Sequence, residues 1–162
     1  MASTYTANSG IEKIGAGEQA GTWGNTTNNN LDILDRAING VVSITLTGTT
    51  TTLTTSDGTL SDGGNKILVL AGSPSGTNTI TISPNDQDKM YFVQNDTNQS
   101  VIFSQGSGAN VTIVAGAKSM IYADGAGSGA AVVDLTAGLN LGSLTLSGTA
   151  VTTTGAELNI ID

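Results

Sequence analysis

The side chains able to do acid–base or ligand chemistry in this sequence are almost all carboxylates. There are 13 Asp and Glu residues and neither His nor Cys. Ser-His-Asp and Cys-His nucleophiles are therefore impossible, and a zinc ion would find only carboxylates to hold it. Glycoside hydrolysis needs just two acids at the right separation, and Asp57, Asp62, Asp86, Asp88, Asp96 and Asp124 are its candidates. All of them fall in or next to Gly-, Asn- and Ser-containing segments that read as turns. A catalytic acid needs a partly buried cleft to move its pKa, and no spacing here points to one. Asn85, Asp86 and Asp88 offer oxygens to Ca²⁺, but the EF-hand pattern is missing and Lys89 follows directly, so a solvated turn is the favoured reading. No Gly cluster leads into the Lys and helix that a P-loop requires. The expectation is a non-enzymatic chain without cofactor or metal.

Two further patterns invite chemistry and return structure. The run TLTGTTTTLTTSDGTLS, residues 45–61, could form a hydroxyl array for ice or glycans, but Thr in such a run is ordinarily the water-facing side of β-structure. Asn25, Asn95, Asn98 and Asn110 each begin an Asn-x-Ser/Thr triplet, which an Asn- and Thr-rich chain produces by chance.

The composition indicates what must position these residues. Aromatic residues make up 4% and charged residues 11% of the 162, while 22 are Gly and 25 are Thr. A compact monomer ordinarily carries more large apolar residues inside and more charge outside. Small polar residues suit long, thin, strand-rich assemblies. The net charge of −8 and the scattering of five cations argue against a nucleic-acid partner. No run of about 18 apolar residues argues for a membrane one, and Met1 to Thr6 lacks the basic and apolar regions of a secretion leader.

Along the chain, residues 1–40 read as a short N-terminal arm and helix. Within TWGNTTNNNLDILDRAING, Asn residues suit an N-cap, Leu31, Leu34, Ala37 and Ile38 share a stripe, and Gly40 stops the helix. That gives roughly a dozen residues with Asp32 and Asp35 near the positive end of the dipole. Residues 41–135 read as a β-rich domain with strands in VVSITLT, KILVLAG, TNTITIS, KMYFVQN, QSVIFSQ, ANVTIVA, KSMIYAD and AAVVDL. Turn-rich breaks between them predict an all-antiparallel sandwich or barrel. ILVL, MYFV and VIF are apolar on both faces, which calls for a second layer, either the domain's own other sheet or a neighbouring subunit. Residues 136–162 read as a shaft segment in which Leu139, Leu141, Leu144 and Leu146 nearly alternate. A capping box at Thr154 and Glu157 would then open a further module, as in a longer polypeptide.

Two stretches carry a resemblance. GAGEQAGTWGNTTNNNLDILDRAING, residues 15–40, resembles the N-terminal module of fibre and related virion structural proteins of tailed bacteriophages, particularly marine cyanophage-like ones. KMYFVQNDTNQSVIFSQGSGANVTIVAGAKSMIYADGAG, residues 89–127, is similar to the strand-rich repeats of their shafts, and TTGAELNIID resembles segments that separate shaft modules. The resemblance implies a mainly β, intertwined homotrimer located in the virion, as the particle-proximal part of a tail or neck fibre. It implies as partners the phage tail, adaptor or neck/portal-region proteins, and a host receptor through distal parts.

On that reading Trp23, Leu31, Leu34 and Ile38 are the virion-attachment residues. Trp23 either projects from a tight Gly-flanked turn as an anchor or plugs the local helix against Leu31 and Leu34. The alternative function is a receptor- or glycan-binding β module, or a short decoration or adaptor protein. Exposed aromatics at loop tips would favour glycan binding, but Tyr91, Phe92, Phe103 and Tyr122 fall inside expected strands.

Overall fold

The computed structural model describes residues 2–138, 144–146 and 149–151. The described residues are mainly β with one α-helix, a mainly β fold with a short helix as expected. It opens with two short strands, β1 (Thr4–Tyr5) and β2 (Glu12–Lys13), followed by helix α1 (Trp23–Asn39). The body is formed by β3 (Val41–Leu46), β4 (Thr50–Thr54), β5 (Ile67–Gly72), β6 (Asn78–Ser83), β7 (Asp88–Asn95), β8 (Val101–Ser104), β9 (Val111–Ile113), β10 (Lys118–Asp124) and β11 (Val132–Asp134). Beyond it, β12 (Leu144–Leu146) pairs antiparallel with β13 (Thr149–Val151). The rest of the expected shaft, and the capping box at Thr154 and Glu157, lie outside the described residues.

The body is two-layered, but it is not all antiparallel. One sheet has the order β11-β10-β7-β5-β3 and the other β4-β6-β8-β9. From β3 to β8, successive strands alternate between the two sheets, so β3, β5 and β7 run parallel, as do β4, β6 and β8. Val41 pairs with Ile67 and Ile67 with Phe92, so the chain winds in coils of about two dozen residues. Only the closing strands are antiparallel: β9 on β8, β10 on β7 and β11 on β10. From β3 to β8, and again from β9 to β10, the Gly-, Pro- and Asn-rich breaks are corners between sheets, whereas those joining β8 to β9 and β10 to β11 are hairpins, as expected. The same turn residues serve both purposes, and period-two patterning names a strand's faces without naming its partner.

Between the sheets lies one core, containing Leu46, Leu68, Leu70, Tyr91, Val93 and Ile121 from one side and Leu53, Ile80, Ile82, Val101 and Phe103 from the other. The Tyr91 hydroxyl donates to the Gly63 carbonyl at 2.8 Å, and burial raises its pKa. Where β5 ends beside β3, Gly72 has φ +96° and an added Cβ would meet the Leu46 carbonyl at 2.5 Å. The Thr-rich run supplies β4, a strand with Leu53 as its buried position.

The N-terminal stretch is not an extended arm. It doubles back, with Thr4 opposite Lys13 and Tyr5 opposite Glu12, and lies against the body. The Gly58 amide donates to the Gly10 carbonyl at 2.7 Å, the Asp88 amide to Asn8 Oδ1 at 3.2 Å, and Lys89 Nζ to the Asn8 carbonyl. Polar side chains supply partners that a composition reading does not assign.

Partial burial of Lys89 lowers its pKa to about 8. The folded chain thus releases this proton before the unfolded chain does, whose Lys titrates near ~10.4. Between those values the unfolded state binds more protons, so stability rises with pH, and the desolvation penalty is carried in full below the window. Urea midpoints at about pH 7.5 and 9.5 should show the rise in the wild type and its loss in Lys89→Met.

Candidate attachment surface

α1 is longer than the sequence pattern indicated. It begins at Trp23 after Thr22, spans 17 residues and has no acid in its first turn. Asp32 and Asp35 therefore sit mid-helix, away from the positive end of the dipole. A turn in which both the Thr22 and Trp23 amides donate to the Gln19 carbonyl feeds the chain directly into the helix. The asparagines expected to cap it are inside it. Asn has modest helix propensity, and here tertiary hydrogen bonds offset that.

Those bonds define the docked side. Asn30 pairs with the β2 backbone in both directions, accepting from the Glu12 amide at 2.9 Å and donating to its carbonyl at 2.8 Å. Asn29 donates to the Gly58 carbonyl at 2.9 Å and Arg36 to the Ser61 carbonyl at 3.3 Å. Thr26 donates to Gln19 Oε1. Ile33, 5% exposed, is the helix's buried residue. Gly40 ends the helix as expected: a Cβ there would collide with the Arg36 carbonyl and lie 2.6 Å from Asn65 Oδ1.

The solvent-facing flank beside it carries the four residues singled out from the sequence. Trp23 is 61% exposed, Leu31 57%, Leu34 44% and Ile38 58%. At ~100° per residue they fall within an arc of about 80°, a quarter of the circumference. Trp23 does not plug the local helix, since most of its surface is open. The stripe has no covering element among the described residues. A β body that holds the helix by polar bonds and leaves the apolar stripe outward can present it to a partner groove.

The candidate carboxylates disperse into several settings. Asp124 Oδ1 accepts from the Ala126 and Ala131 amides at 3.1 and 2.9 Å, fastening the loop between β10 and β11. Asp88 lies opposite Asp124 in the ladder. The backbone carbonyl of Asp62 receives the Asn65 amide and side chain. Asp57 and Asp86 both line a cleft of about 530 Å³, together with Tyr5, Thr6 and Gln87. Asn85, Asp86 and Asp88 form no metal cluster with other ligands: among the described residues no group of three or more His, Cys, Asp or Glu comes together. Sequence reasoning missed Tyr5, because two isolated strand residues give no periodic signal.

In comparisons with protein-family models, curated proteins and solved structures, nothing matches this chain.

Proposed function

We propose that the chain is a non-enzymatic structural protein of a tailed-phage virion, the particle-proximal part of a tail or neck fibre. The helix stripe seats on the particle and the wound β body projects outward. The reading rests on the fibre-like sequence of residues 15–40 and 89–127, and one structural observation carries it. The stripe Trp23, Leu31, Leu34 and Ile38 stands open while the same helix is fastened to the body by its adjoining side. Its partners on this reading are further copies of the chain, in a homotrimer, and tail, adaptor or neck/portal-region proteins. Neither nucleic acid nor membrane is among them.

Trp23→Ala combined with Ile38→Ser is the test. Both side chains point away from the body, so thermal unfolding should change little. Truncating a central apolar anchor typically costs about 2 kcal/mol or more, so losing both should weaken seating by on the order of a thousandfold and strip the chain from purified particles. Normal incorporation would place the anchoring surface elsewhere.

A receptor- or glycan-binding role is the second reading. The observation favouring it is the cleft lined by Tyr5, Thr55, Asp57, Asp86 and Gln87. An aromatic ring beside polar groups is the pattern that sugars use.

A further inference from the structure

The five-stranded sheet has a second face, directed away from the core, and it is apolar. Val41 lies opposite Ile67, Ile67 opposite Phe92, and Phe92 opposite Met120, so one rung crosses four strands. All but Met120 are exposed, with Phe92 at 46%. Met90 and Val133, also exposed, extend the patch onto the neighbouring rungs of β7 and β11. A groove of about 370 Å³ runs beside Ile67, Phe92 and Met120. Monomers rarely leave a contiguous apolar surface of this extent open to water.

We infer that this face packs against a second copy of the chain. This deepens the assembly part of the reading above and is distinct from the helix stripe that faces the particle. Five strands ~4.8 Å apart and about six residues long give a footprint near 500 Å². Corrugation raises the accessible area toward the ~800 Å² per partner of a standard interface. Charge argues for a copy of the same chain. With a net charge of −8, two copies repel across most of their surfaces, yet the centre of this face is uncharged. Its charged residues stand at the ends, Lys118 at one and Asp88 and Asp124 at the other, as the β7–β10 register places them. A neighbouring copy packed with its strand direction reversed sets Lys118 against Asp88 and Asp124.

The test uses the purified 162-residue chain in solution, so it stands apart from any failure to bind particles. Light scattering at micromolar concentration should give a multiple of 16.2 kDa. Ile67→Thr with Phe92→Thr keeps strand-compatible residues and should reduce the mass to one copy with an unchanged far-UV spectrum. Leu34→Ser with Ile38→Ser should keep the wild-type mass. The chain has no Cys, so Phe92→Cys supplies a clean probe in case the double variant does not fold. Its maleimide labelling should be about tenfold slower at micromolar than at nanomolar concentration, by mass action. A monomeric wild type would overturn the inference. So would a sheet-face variant that stays assembled, dissociation by the helix variant alone, or a labelling rate independent of concentration.

Discussion

Phe103→Ala should destabilise the chain by about 3–5 kcal/mol, the range for deleting a fully buried aromatic side chain. Phe103 is fully buried, on β8. Its strand lies between β6 and β9, so paired strands on both sides limit how far the body can close over the void. Few large side chains share this core, and each carries a larger portion of the total burial than in an ordinary domain. Phe92→Ala is the contrast, because Phe92 points outward from the five-stranded sheet. At nanomolar concentration, where copies are apart, its cost should stay within ~0.5 kcal/mol, and it should grow with protein concentration if the sheet face is shared between copies. Urea unfolding at two concentrations measures both. Equal losses for the two substitutions in dilute solution would contradict the two-layer body.

This pair of residues also marks how far the sequence could be read. Strand existence was legible: eight expected strands correspond to β3 and to β5 through β11, because β-branched runs bounded by turn residues depend on local patterning alone. Partnership was not. MYFV and VIF both look apolar on two faces, yet Phe103 is inside and Phe92 outside. Which face has a partner depends on a strand a full coil away, and nothing local records that separation. The helix stripe was legible for the same reason as the strands, since Leu31, Leu34 and Ile38 repeat at helical spacing. The helix start was not, because it depends on tertiary bonds from Asn29 and Asn30 to Gly58 and Glu12. The cleft at Tyr5, Asp57 and Asp86 assembles residues from β1 and two separate turns and has no sequence signature.

Asn95→Ala should be as damaging as the loss of a core aromatic, although the residue lies in a polar triplet that composition alone would assign to the surface. Asn95 is fully buried at the end of β7. Its amide nitrogen reaches the carbonyls of Gln99 at 2.9 Å, Ile113 at 3.0 Å and Val114 at 3.2 Å. Its amide oxygen accepts from the Thr97 amide at 3.1 Å and the Thr97 hydroxyl at 2.7 Å. One side chain thus ties the corner after β7 to the end of β9. Truncation strands several buried backbone groups, each costing roughly 1–3 kcal/mol, and the relaxed total should be about 3–5 kcal/mol. At ~2–4 °C per kcal/mol for a domain of this size, the melting temperature should fall by roughly 6–20 °C. Asn98, exposed and three residues on, is the control: Asn98→Ala should move stability by no more than ~0.5 kcal/mol. Calorimetry of the two variants beside the wild type separates the outcomes, and similar melting temperatures for both would mean that the corner is held by something other than Asn95.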